Sequence, residues 1–497
     1  MKKLTKILIC ASLFFNFHFS IMAQDAEYQL IRRTYTVNDD GTVDIRFRKE
    51  IKLLRNRAIT AYADKGETFI LYNPAIDQLT INESYTIRPD GSRVQTPKNA
   101  FIDQLPRECQ DCGRYNGIRE RAVIHTALEY NCIIVLDYTI HRKTDYLDEQ
   151  IILSEDCPIK KYEFIYNINA RTQDSRQFGF ETKNLPKTHK FVKNQEKAWH
   201  LVLTNIPQTF KERYMPPAND LYPSVSIRFG SNNNQVNNDE LLPEAKYVVN
   251  ELFDNDPITC VTNIRNYVAD NIKVNDIPAS LLAYRTSTAK ETFLAACGTP
   301  ADKNILLAAL LRQAGFKAHT DMRHVFVTIK EKNAEMDYRI TANMKSPLRP
   351  DGAVVDEQRT IEVDKNLPWQ GKHIGGGIQQ MVLPTVAGSI SIDPARLTSE
   401  RKAPLLVRNC NEKYTYRISL PRTPNHRLVG KPVDINYTKK GVGSIRISIS
   451  QEHPGAAVVV VRELNIDVPD GIVTPKQYND FRQLIQDWNT YKTIMIK

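Results

Sequence analysis

The stretch Gly298-Thr299-Pro300-Ala301-Asp302-Lys303-Asn304, continuing through a Leu-rich run to Ala314-Gly315-Phe316, leaves its backbone little choice. Thr299 offers a side-chain oxygen to the orphan amides of a helix start, and Pro300 suits the first helical position, where a missing N–H does no harm. Asp302 stands where a capping box places its acid, and Gly315 supplies a left-handed stop. Arg323-His324-Val325-Phe326-Val327 follows as a strand. The chain here is a capped helix and then a strand.

The tracts on either side are patterned differently. From residue 28 to about 229 the dominant period is two, as in Val43-Asp44-Ile45-Arg46-Phe47-Arg48, which puts one face in a core and the other in water. Asp40-Gly41 and Pro89-Asp90-Gly91 mark turns, and Ile133-Ile134-Val135-Leu136 reads as a deeply buried strand. The expectation is an antiparallel β-sandwich-like domain. A polar stretch at 230–235, Gly-Ser-Asn-Asn-Asn-Gln, then breaks the pattern and marks a boundary. Helical spacing appears at 245–253 and 259–272, the second burying Cys260 with Ile264 and Val268. Beyond about 346 strand patterning returns, clean in Ile445-Arg446-Ile447-Ser448-Ile449. A closing amphipathic helix is expected to start with Thr474 as cap and Pro475 as first residue, lining Tyr478, Phe481, Leu484, Ile485 and Trp488 along one face.

Residues 1–23 look like an export signal: Lys2, Lys3 and Lys6, an apolar stretch over 7–21, then Met22-Ala23 before Gln24. Cys10 lacks the small residue before it that a lipoprotein site needs, since Ile9 stands there. No other stretch has the roughly 18 apolar residues of a membrane helix. The expected location is the periplasm, cell surface or exterior. Division into three domains, 24–238, 239–345 and 346–497, follows from the pattern changes. Removing the three lysines of the leader from 67 basic residues leaves 64 against 57 acidic ones, a net +7. These charges are interspersed, with no basic run interleaved with aromatics, so nucleic acid is not an expected partner. Without Cys10 the chain has seven cysteines, an odd number, so at least one thiol is unpaired within the chain. Cys109-Gln110-Asp111-Cys112 has the spacing of half a zinc site or of a small disulfide loop, and nothing completes the zinc set. No cofactor and no metal site are expected, calcium included.

The segment 298–343 resembles the transglutaminase-like superfamily, papain-like in fold, in which Gly-x-Cys opens a Leu-rich helix ending in Ala-Gly while a His and an Asp follow on consecutive strands. Tyr72-Asn73-Pro74-Ala75 and Thr86-Ile87-Arg88-Pro89-Asp90-Gly91-Ser92 are similar to a β-rich domain of unknown function that precedes such domains in secreted bacterial proteins. The closing segment 478–497 resembles the C-terminal β domain of the same architecture. The resemblance thus implies a multidomain α+β chain: an N-terminal β-sandwich-like domain, a central papain/transglutaminase-like α+β domain and a C-terminal β-rich domain.

The family's chemistry needs a thiolate at the helix N-terminus, an imidazole beside it, and an acid that orients the imidazole. In that frame the nucleophile falls on Pro300, the imidazole on His324 and the acid on Thr341. Two of the three groups are therefore absent. Proline at the first helical position removes chemistry while keeping the helix. The resemblance then implies a catalytically silent protein whose papain-type cleft binds a peptide, protein or glycan. The alternative is an active cysteine peptidase or transglutaminase-like acyltransferase with Cys297 as nucleophile, His324 as base and Asp337 as orienter. It requires Cys297 to reach a position three residues away, and Asp337 to act from about 13 Å along its strand.

Overall fold

A computed structural model describes residues 25–63, 69–144, 146–168, 178–187, 189–193, 198–230, 240–331, 334–345, 348, 358–386, 389–390, 392, 397–421 and 425–497. The leader at 1–23 and the polar boundary at 231–235 lie outside the described residues. The chain is multidomain and strand-rich.

An eight-stranded sheet forms the largest layer. Its middle strands are Ile159–Ile168, Ala26–Val37, Val43–Leu53, Ile133–Arg142 and Asp77–Ile87, in that order. Alternation puts Ile31 and Tyr35, with Phe164 and Tyr166, on one face, and a register irregularity between Tyr28 and Leu30 brings Tyr28 to it as well; all five are at most 1 % exposed. That face packs on a three-stranded sheet of Phe178–Lys183, Ser224–Phe229 and Leu147–Ile152, which brings Leu147, Ile151, Val225, Ile227 and Phe229 to the same core. The pairing is not wholly antiparallel as expected: Ala26–Val37 runs parallel to Ile159–Ile168, in register Tyr35 with Tyr166. A period of two reports which face is buried and says nothing of the direction of a neighbouring strand. Gln358–Pro368 likewise pairs parallel with Asn409–Ser419 at the edge of a five-stranded sheet nearer the C-terminus.

On that second sheet lies the closing helix, Tyr478–Thr490, with Tyr478, Phe481, Leu484, Ile485 and Trp488 buried. Its start is displaced from the expected cap. Gln477 Oε1 accepts from both the Thr474 amide and the Thr474 hydroxyl, closing a turn over 474–477, and the helix begins only after it.

In the middle of the sequence the helices Pro243–Leu252, Pro257–Asn271 and Ala289–Ala295 surround the helix Pro300–Gln313, against which a three-stranded antiparallel sheet packs (Lys317–Thr320, Val325–Glu331, Ala334–Ile340). The Pro300–Gln313 helix is apolar nearly all round, with Leu306, Leu307, Ala308, Leu310 and Leu311 fully buried, as befits the centre of a core. Cys260 lies in the same core, fully buried. The central unit also touches the first β-rich part: the Tyr284 hydroxyl accepts from the Asp148 amide on the three-stranded sheet at 3.1 Å, and Asn73 Nδ2, in a turn, donates to the Leu281 carbonyl at 2.7 Å. Among the described residues no helix is long and apolar enough to cross a membrane.

Candidate functional site

The start of the Pro300–Gln313 helix is built by its own sequence. The Thr299 hydroxyl accepts from the Asp302 amide at 3.2 Å, while Asp302 Oδ2 accepts from the Thr299 amide at 2.9 Å. Asp302 is 1 % exposed and carries more than the cap. Its Oδ1 accepts from the Ser287 amide at 2.6 Å and its Oδ2 from the Tyr115 hydroxyl at 3.3 Å. A buried carboxylate at a helix N-terminus with three donors is committed to the fold, both of its oxygens already accepting. Gly298 permits this closeness, since a Cβ there would lie 2.9 Å from Asp302 Cβ.

Pro300 occupies the first helical position, half-buried, and brings no reactive atom to it. The neighbouring Thr299 hydroxyl is engaged in the cap. Cys297, the alternative nucleophile, is joined to Cys112 in a disulfide with Cα atoms 6.1 Å apart. A sulfur so bonded has no thiolate to attack with. The half-zinc or small-loop reading of Cys109 and Cys112 is also corrected: Cys112 pairs across 185 residues, and Cys109 remains a buried thiol in the cluster of Tyr115, Ile118, Ile277, Leu281 and Cys297. Spacing alone favours a local partner, whereas tertiary packing brings a distant one closer. The segment holding Cys112 is clamped further by Asn275, whose Nδ2 donates to the Glu108 carbonyl at 2.6 Å and whose amide donates to the Gly298 carbonyl at 2.9 Å.

His324 immediately precedes strand Val325–Glu331, its side chain 42 % exposed. The Val325/Ile340 pair of the ladder puts His324 and Thr341 one step beyond, side by side at the strand ends. The loop that precedes His324 and the strand end at Thr341 are both tied to the helix by Asn304. Fully buried one turn into the helix, Asn304 donates through Nδ2 to the carbonyls of Met322 and Arg323, each at 2.9 Å. Its Oδ1 accepts from the Ala342 amide at 2.8 Å and the Thr341 hydroxyl at 3.2 Å. Every donor and both lone pairs of the amide are used. Asn343 Nδ2 adds a bond to the Pro300 carbonyl at 3.3 Å. Sequence reasoning missed Asn304, although a lone amide inside a Leu-rich helix one turn past its cap was a readable sign of a buried polar anchor. Replacing Asn304 with Ala is expected to lower stability by about 2–3 kcal/mol, by stranding buried backbone groups of two loops, as read from chemical denaturation.

Thr341 thus faces Asn304 and does not orient an imidazole. The acid nearest His324 is Asp321, whose Oδ2 lies 3.6 Å from Nδ1, beyond a hydrogen bond, while its Oδ1 accepts from the His324 amide. Asp337 is placed elsewhere: it stands opposite Thr328, whose hydroxyl donates to it at 2.7 Å, and four strand residues separate Thr328 from His324, about 13 Å. Beside the disulfide, Arg114, Glu291, Leu294 and Ala295 line an open hollow of about 430 Å³, and Leu294 is 74 % exposed at its edge. Arg114 and Glu291 form an ion pair at 3.2 Å across it. Among the described residues no group of three or more His, Cys, Asp or Glu is placed to hold a metal.

Residues 39–209 match the model of a domain of unknown function, DUF3857, and residues 379–495 match that of a second one, DUF3858. The chain is similar in structure to a protein of Parabacteroides distasonis provisionally described as a protease, with a TM-score of 0.68 and 23 % identity, over 95 % of this chain and 99 % of that one. This likeness concerns the fold. A protein of Legionella pneumophila provisionally described as nutrient-binding aligns over 52 % of this chain and 84 % of its own, at 9 % identity and a TM-score of 0.20, and carries no argument. No curated protein matches the chain by sequence.

Proposed function

We propose that this chain is an exported, catalytically silent transglutaminase-like protein, a pseudoenzyme that binds a peptide, protein or glycan in the papain-type cleft at the start of helix Pro300–Gln313. Residues 239–345 make the cleft domain, flanked by β-rich domains at 24–238 and 346–497. The observation that carries this is the state of the helix start: proline at the nucleophile position, and the sulfur of the neighbouring Cys297 held in a disulfide. The neighbouring hollow with its exposed Leu294 offers apolar surface to a ligand. A disulfide across 185 residues supports export to an oxidising compartment.

The rival, a thiol peptidase or acyltransferase using Cys297, His324 and Asp337, draws support from the protease description of the Parabacteroides distasonis protein. The two are separated by assaying the purified chain, with and without reductant, for casein hydrolysis and for incorporation of a fluorescent amine. No turnover is expected in either state. Turnover that disappears in Cys297→Ser would sink the silent assignment. For the binding role, ligands captured on peptide and glycan arrays are expected to be lost on Leu294→Arg. Arrays blank above background, or capture indifferent to that change, would remove it.

A further inference from the structure

A second site lies far along the chain, between the five-stranded sheet and the closing helix. There a pocket of about 40 Å³ runs from an exposed rim at Pro384 and Thr385 to a buried floor of Glu412, Tyr416 and Arg462. Arg462 is 5 % exposed and Tyr416 1 %. Neither the Arg462 Nε nor the Tyr416 hydroxyl has a hydrogen-bond partner among the described residues, and both line the pocket. Leaving such groups dry is unfavourable, and native interiors rarely tolerate it.

The guanidinium is held rigidly. Its carbon sits 3.9 Å from the Trp488 ring centroid, and one terminal nitrogen donates to the Trp488 carbonyl. Burial pushes Arg462 down to about 10, so it stays cationic at neutral pH. Lys492 also lines the pocket. The single carboxylate there, Glu412, is already occupied, Oε2 by the Tyr414 hydroxyl at 2.9 Å and Oε1 by the Ile390 amide. Two basic side chains face one acid, the Lys492 amine being pushed down by burial and by Arg462 and donating to Asn489, so the cationic Arg462 is the group that recommends the pocket to an anion.

The geometry points to an anion site for a carboxylate group, its oxygens taking the free Arg462 Nε–H and Tyr416 O–H while the rest of the molecule extends to the Pro384–Thr385 rim. The volume agrees: at about 10–15 Å³ for each water-sized occupant, the pocket holds roughly the three heavy atoms of a carboxylate. Either a small free acid or the C-terminus of a peptide supplies this chemistry.

The full chain is titrated with sodium acetate at constant ionic strength, chloride replacing acetate, by ligand-observed NMR, alongside N-acetyl-dialanine and its C-terminal amide. Saturable acetate binding, weakened about tenfold by Tyr416→Phe, is expected for a hydrogen bond to a charged group. Tyr416→Phe keeps the ring and so the core, whereas Arg462→Gln abolishes binding but risks the fold. Equal affinity for acetate and the peptide acid assigns a small free acid. Tighter binding of the peptide acid, with none of its amide, assigns a chain terminus. If neither acid saturates, the pocket holds only water and the site is refuted; binding unchanged in Tyr416→Phe refutes it equally.

Discussion

Replacing Cys112 and Cys297 together by alanine is expected to lower unfolding stability by about 3–5 kcal/mol, near the upper end for a single disulfide. The reason is the length of chain closed: the two cysteines are 185 residues apart, and the entropy removed from the unfolded chain grows with that length. The bond also ties the 105–118 segment of the first β-rich part to the strand pair just before the central helix, so its loss releases a tether between units. Both cysteines are buried, which adds a packing loss to the entropic one. Denaturant titrations should show the entropic loss both in the double variant and in the natural chain in reductant, the variant being lower by the packing loss. A change under about 1 kcal/mol in both would mean the bond does not form or does not constrain the unfolded chain. With the thiol of Cys297 freed in Cys112→Ala alone, no amide hydrolysis is expected: Asp337 is bonded to Thr328 about 13 Å along the strand, and Asp321 accepts from the His324 amide with its other oxygen 3.6 Å from the ring, beyond a hydrogen bond.

The second large effect concerns Asp302. Removing its carboxylate in Asp302→Ala strands the Ser287 amide, the Thr299 amide and the Tyr115 hydroxyl at a site 1 % exposed. The expected loss is about 3–5 kcal/mol, since a buried charged acceptor is worth more than a neutral one and its partners are left dry. Tyr115→Phe removes the 3.3 Å bond while leaving the carboxylate and its two amide donors in place, and should lose about 1 kcal/mol. The two substitutions share a partner, so in the double variant the losses should not add. Near-additive losses would mean that Tyr115 and Asp302 do not interact, and a loss under 1 kcal/mol in Asp302→Ala would mean the carboxylate is not the anchor described.

Much of the central helix was legible because its signals are local. Thr299, Pro300, Asp302 and Gly315 act within a few residues of themselves, and the structure places the cap and the proline as read. The position of Pro300 was likewise accessible, through its place directly after the cap of one helix. The expected start of the closing helix failed for an equally local reason, a glutamine at 477 that competes for Thr474 and closes a turn first.

What the chain's own pattern determined, then, is each segment's type and buried face: strands from a period of two, helices from caps and stops, and a helix start with proline in its first position. Only the tertiary structure decided which distant groups meet. Cys112 chose Cys297 over its neighbour Cys109, Tyr115 reached Asp302, and Ala26–Val37 took a parallel partner. These outcomes depend on contacts over more than a hundred residues. Local conformational preference carries no information about them; packing and the need to satisfy buried polar groups select them together. The capped helix from 300 to 313 was therefore readable from its own residues, while the disulfide that holds its neighbouring thiol was not.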